Sequence, residues 1–275
     1  MASAASHPYY PRDAVISGYV PNATPTVSLL AAFAVATAAV AAAAVAAAAS
    51  ARPALPAREK LAFVWLVLCG QARAAADDTS GGLVVLSFLG SCHTIFEGYF
   101  GAFPNAIAGG TSVVAQLWKE YARADSRYLT GDPTILYIER ITAVREDVLV
   151  VMPACFVEGP LCFLCARAIL RDLPYRHPLQ MAISLGQLYG VVLYFATSIH
   201  EGNPHCAPGA VYLWFYFGFV RVKTTMNALW IAVPGLLIYQ SFTAMTRAAT
   251  VAGKYAKVKY AGKSFRSTVP ELKEQ

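Results

Sequence analysis

Charge is scarce in this sequence. Only 14% of its 275 residues are charged and its mean hydropathy is +0.47, whereas a soluble domain carries roughly a quarter charged residues. That scarcity excludes a soluble globular fold and points to an integral membrane protein, one bundle and one domain. A cleavable signal peptide is lacking as well. The first apolar run starts near residue 27 and ends near 49, too long for a signal h-region and long enough for a span. Internal repeats and a polar, water-lined path are both missing, which argues against a transporter or channel. Cysteine occurs six times, and Cys162 and Cys165 form one CxxC without a second pair. Metal or redox chemistry is therefore not expected, and the cysteines read as small buried apolar residues. The net charge of +6 is no nucleic-acid footprint, because the surplus lies in one tail. Lys254, Lys257, Lys259, Lys263 and Arg266 follow the last apolar segment, where a basic tail meets anionic headgroups.

What is there is a series of apolar regions: 27–49, 61–103 interrupted at 71–82, 134–166, 179–199, and 211–246. Counted once each, they make an all-α bundle of five transmembrane helices. The connecting charge agrees. The loops at 50–60 and 167–177 and the tail are basic, whereas 104–133 is balanced and 200–210 has no Lys or Arg. By the positive-inside rule the N-terminus lies outside and the C-terminus in the cytosol. Six or seven spans result if the interrupted regions are split. The expected division is a lumenal tail (1–26), a membrane domain (27–246) and a basic cytosolic tail (247–275). The sequon at Asn22–Thr24 falls on the lumenal side but so close to the first span that its use is not expected.

Function is sought in the polar residues of these apolar segments, because a carboxylate in hydrocarbon needs a partner or a task. His93 and Glu97 are spaced i, i+4 and share one helical face,. Glu139 and Thr142 form an i, i+3 pair on another helix, Asn227 and Trp230 on a third, and Gln187 and Tyr194 mark polar positions on a fourth. Converging, they would line a pocket. Singly each has a plainer reading: a Glu bonded to a neighbouring helix, a satisfied core His, a Trp in the packing or the interfacial belt.

The segments HPYYP, VPN..PT, HTIFEGYF, QLWKEYARADSRYLTGD, IERITA, SLGQLYG and MNALWIAVPG occur in that order between residues 7 and 245. Together they resemble the emopamil-binding protein family, the Δ8,Δ7-sterol isomerases of the EXPERA fold. The resemblance implies a five-helix bundle in the endoplasmic reticulum membrane, a sterol substrate and no cofactor. It implies that lipophilic amines inhibit, since their ammonium mimics a cationic intermediate, and it leaves a homodimer open. By motif position the implied pocket residues are His93, Glu97, Glu139, Thr142, Asn227 and Trp230. His93, Glu97 and Glu139 would share the acid and base roles. Trp118, Tyr121, Asp125, Arg127 and Tyr128 of the loop motif would form a lid or scaffold. The alternative is a non-catalytic sterol- or amine-binding protein of the same superfamily, which would not need the proton-transfer set.

Three stretches, about 71–91, 145–157 and 220–225, interrupt motifs that are continuous in the family. Lipid-facing helices tolerate insertions poorly, so the hypothesis is that these are retained introns or gene-model errors. A transcript encoding all three would reject it. Val191 follows LYG where some relatives carry an acid, so that position offers no catalytic group.

Overall fold

A computed structural model describes residues 7–70, 96–139, 154–202, 204–206 and 226–267, with side chains of 137–139, 154–157, 226–227 and 261–267 left aside. Every regular element among the described residues is helical. The interruptions at 71–91 and 220–225, and most of that at 145–157, lie outside the described residues.

Helix α1 spans Thr26–Ala51, set off by Pro25 at its start and Pro53 just past its end,. Its alanine content gives strong helix propensity. Val40, Ala44 and Ala48, one turn apart, are buried against α2 (Ala57–Cys69), the close approach that small residues permit. Helix α2 stops at Gly70, where a Cβ would lie 2.8 Å from the Leu66 carbonyl oxygen and 3.1 Å from the Phe163 nitrogen. Only glycine lets the α2 end pass so near its neighbour.

Short helices follow: α3 (Gly98–Ala102), α4 (Val113–Tyr121), α5 (Arg127–Thr130) and α6 (Pro133–Glu139), with a 3-10 turn at Pro104–Ala106. The Ser112 hydroxyl accepts from the Ala115 N–H and caps α4,. Gly131, at φ 72°, closes α5 in the left-handed region,. The bundle is completed by α7 (Ala154–Leu170), α8 (Arg176–His200) and α9 (Met226–Ser267). Helix α9 lies along α8, and α7 packs on α2 and α8.

Among the described residues, three helices are long and apolar enough to cross a membrane: α1, α8 and the Ala228–Tyr260 part of α9. The chain is thus a helical membrane protein. Helix α9 does not stop at residue 246 but continues to Ser267. The sequence TRAATVAGKYAKVKYAGKS is rich in Ala and Lys and holds no proline before Pro270, so nothing in it ends a helix.

The two ends of the bundle differ in character. At one, Arg52 pairs with Asp172 at 3.1 Å and donates to the Ile169 carbonyl at 2.9 Å. Buried Glu59 pairs there with Arg176 at 3.4 Å and accepts from the Gln240 amide at 2.9 Å. The basic loops and the tail-bearing part of α9 therefore meet at a single end. At the other end residues 7–25 strap α3–α6. The Val20 N–H donates to the Ala108 carbonyl at 2.9 Å, and the Asn22 amide to the Gln116 carbonyl and the Glu120 carboxylate at 3.0 and 2.8 Å. The Ser126 hydroxyl donates to the Tyr10 carbonyl. The sequon amide is thus committed within the fold.

Candidate functional site

The site is assembled from α2, α7, α8, α9 and the approach to α3. Gln187 lies on the buried face of α8. Its carbonyl oxygen accepts from the Trp65 indole N–H of α2 at 3.0 Å, and its amide nitrogen reaches the Cys162 sulfur of α7 at 4.0 Å. The Trp65 ring stands edge-on to Trp230 of α9, with centroids 5.0 Å apart and planes at 69°, a favoured aromatic geometry. The carboxylates of Glu97 and Glu158 both lie within electrostatic reach of the Cys162 sulfur. Of the expected pocket residues, then, Gln187 and Trp230 contact Trp65 directly, and Glu97 lies within electrostatic reach of Cys162. His93 and Thr142 lie outside the described residues. Glu139 and Asn227 are placed by backbone alone, Glu139 ending α6 and Asn227 starting α9.

Glu97 occupies a π-type turn with Phe96, a local widening often found at functional sites. The loop motif holds that turn. The Trp118 indole donates to the Phe96 carbonyl at 2.9 Å. Trp118 stacks on Tyr128 at 4.7 Å, and both contact Phe100 and Tyr121. Beneath this aromatic plate Asp125 and Arg127 are fully buried. Asp125 accepts from Arg127 Nη2 at 2.7 Å, from Nε at 3.0 Å and from the Tyr194 hydroxyl at 2.9 Å. Burial works against the Arg127 charge, but the Asp125 carboxylate outweighs it and holds the guanidinium above its usual range,. Tyr194 therefore joins the loop motif, two turns along α8 from Gln187. The motif is a scaffold clamped to α8, and through Trp118 it fixes the backbone beside Glu97.

Lys119 is fully buried and donates to the Val20 and Gly110 carbonyls, both at 2.8 Å. Burial lowers its pKa, with the neighbouring Glu120 pulling the other way,. Among the described residues, Asp132, Glu201 and His205 bring their donor atoms within 4.8 Å of one another. Each already serves the scaffold: Asp132 accepts from the Ile135 N–H, Glu201 faces Arg127 and His205 contacts Ser126.

Trp65 and Glu158 were not anticipated, whereas Cys162 is buried as the sequence implies. Glu158 could have been, since it is an acid in an apolar stretch like Glu97 and Glu139. Trp65, in LAFVWLVLC, has no sequence feature that separates it from a belt tryptophan.

An all-helical membrane protein with carboxylates, an amide and paired indoles between its helices defines the class. Residues 113–241 match the family described as EBP: EXPERA (EXPanded EBP superfamily). The chain is 31% identical over 256 residues to the 3-beta-hydroxysteroid-Delta(8),Delta(7)-isomerase of Mus musculus, covering 92% of this chain and 95% of that protein. To the protein of the same name from Cavia porcellus it is 33% identical over 237 residues, covering 86% and 87%. The chain belongs to this EXPERA isomerase family.

Proposed function

We propose that this protein is a sterol isomerase that moves a ring double bond from Δ8 to Δ7. The observation that carries the reading is the match to enzymes of that name along nearly the whole chain. The chemistry needs no electron transfer. A proton adds to C9 of the C8=C9 bond, leaving positive charge at C8. A proton then leaves C7, and the electrons of that C–H bond form C7=C8. Proton count is unchanged, so an acid and a base suffice.

Glu97, His93 and Glu139 share those roles. Trp230, held edge-on by Trp65, offers its ring face to the cation. Gln187 orients that wall of the pocket, and Thr142 and Asn227 complete it. A lipophilic amine inhibits by placing its ammonium where the cation forms. The chain crosses the endoplasmic reticulum membrane five times, with its basic end in the cytosol. A homodimer is compatible with this arrangement.

The test is complementation of a host lacking sterol Δ8-isomerase, read by gas chromatography–mass spectrometry of its sterols. Conversion to Δ7 sterols is expected, and Glu139→Gln should abolish it. A well-inserted chain that yields no Δ7 sterol, with and without residues 71–91, 145–157 and 220–225, would refute the isomerase.

A further inference from the structure

The strap end of the bundle carries a group of polar side chains that the double-bond shift does not use. Asp132, Glu201 and His205 come from three places: the residue before α6, the residue that ends α8, and the loop beyond it. Their donor atoms nevertheless lie within 4.8 Å of one another. The bonds that tie these side chains to the scaffold also aim them. Asp132 accepts from the Ile135 N–H through one oxygen, at 3.0 Å, and keeps the second for another partner. Ser126 holds His205 twice, its N–H on the His205 carbonyl and its hydroxyl against Nδ1, both at 3.3 Å. That hydroxyl gives its proton to the Tyr10 carbonyl, so towards the imidazole it can only accept. The neutral ring therefore carries its hydrogen on Nδ1 and its lone pair on Nε2. A hydrogen-bond partner on the far nitrogen is what orients a metal-binding histidine. Charge points the same way. Glu201 caps the C-terminal end of the 25-residue α8, where the helix dipole disfavours an acid and favours a cation. Arg127 reaches Glu201 at 3.5 Å but makes its 2.7 Å contact with Asp125.

We propose that Asp132, Glu201 and His205 bind one divalent metal ion of the Zn2+ class. Two carboxylates and an imidazole are a Zn2+ donor set, whereas Ca2+ and Mg2+ take oxygen ligands. With bonds of about 2.0–2.2 Å, ligands of one such ion stand about 3–4 Å apart, so side-chain rotations close the group onto it. The Glu201 side chain is 29% exposed, which gives the ion a way in and lets water complete its coordination. The role is structural. The ion fastens the end of α8 to the start of α6 and, through His205 and Ser126, to Tyr10 of the strap. It takes no part in proton transfer, and the site does not depend on the isomerase reading. The group holds no cysteine and is spread along the chain, so no motif spacing betrays it.

The experiment uses the full chain in lipid nanodiscs, stripped of metal with EDTA and titrated with ZnCl2 by isothermal calorimetry. One Zn2+ per chain with a Kd below about 10 µM is expected, and CaCl2 should bind at least about tenfold more weakly. Glu201→Gln and His205→Gln should each weaken Zn2+ at least about tenfold. Zn2+ should raise the thermal unfolding midpoint of the parent and leave that of His205→Gln where it is. Co2+ serves as the spectroscopic probe. His205→Cys keeps a ligand at the same position, so it should restore binding and add a thiolate-to-cobalt charge-transfer band in the near ultraviolet. That rescue separates loss of a ligand from loss of the fold. A parent chain that binds no Zn2+ overturns the proposal. So does Zn2+ binding that Glu201→Gln and His205→Gln both leave unchanged, or Ca2+ bound more tightly than Zn2+.

Discussion

Replacing Asp125 by leucine should unclamp the loop motif. The carboxylate accepts from the Arg127 backbone N–H, from Nε and Nη2 of the same guanidinium, and from the Tyr194 hydroxyl, at 2.7 to 3.0 Å. Both members of the ion pair have no exposed surface. Removing one partner of a buried pair costs about 3–5 kcal/mol. Arg127 retains Glu201 at 3.5 Å and Thr197 at 3.3 Å, so the lower figure, about 3 kcal/mol, is expected. The assay is equilibrium unfolding in mixed micelles, followed by tryptophan fluorescence. The decisive comparison is with the double variant Asp125→Leu/Arg127→Met. Removing both charges leaves no stranded ion, so the double variant should be more stable than Asp125→Leu alone. Additive losses, or a single loss below about 1 kcal/mol, would refute the clamp. Turnover should fall with Asp125→Leu, because Trp118 holds the Phe96 carbonyl next to Glu97 only while the plate stays seated.

Two further outcomes follow from the same geometry. Lys119 has its folded pKa lowered by burial below the ordinary 10.5, so the folded chain binds fewer protons than the unfolded one between those values. Stability should rise as pH climbs through the folded pKa towards 10.5 and fall as pH drops,. Protease protection of residues 7–25 should show that slope, and Lys119→Met should flatten it. Gln187→Leu removes the acceptor for Trp65 at 3.0 Å and strands an indole N–H. A loss of about 1–2 kcal/mol in folding stability is expected, measured by equilibrium unfolding, and an unchanged stability would show that Gln187 does not hold the Trp65 wall.

Some of this was legible in the sequence. Helix α1 could be placed within two residues because prolines bracket an alanine run. Glu97 drew attention because an acid among LSFLGSCHTIF is costly in lipid. The same logic applied to Glu158, but that residue adjoins the stretch 145–157 that breaks the ERITAV–EGPLCFL motif, and the break obscured it. Tyr194 was placed with the pocket because it shares α8 with Gln187. Its hydrogen bond to Asp125 spans 69 residues, and pairings at that range leave no local periodicity to read. The basic tail of α9 was expected to begin a separate region, yet helix propensity alone carries it onward once the membrane segment has nucleated the helix.

The strap of residues 7–25 reverses the order of biosynthesis. Val20 must wait for Ala108, Asn22 for Glu120, and Tyr10 for Ser126. The first residues made are thus among the last to find their places, with α1 and α2 already synthesised. A nascent chain carrying a bulky N-terminal fusion would have to seat that strap with cargo attached a few residues from Tyr9. Residues 251–260 of α9, by contrast, are nearly all exposed, so a reporter joined beyond them would leave the closing step alone.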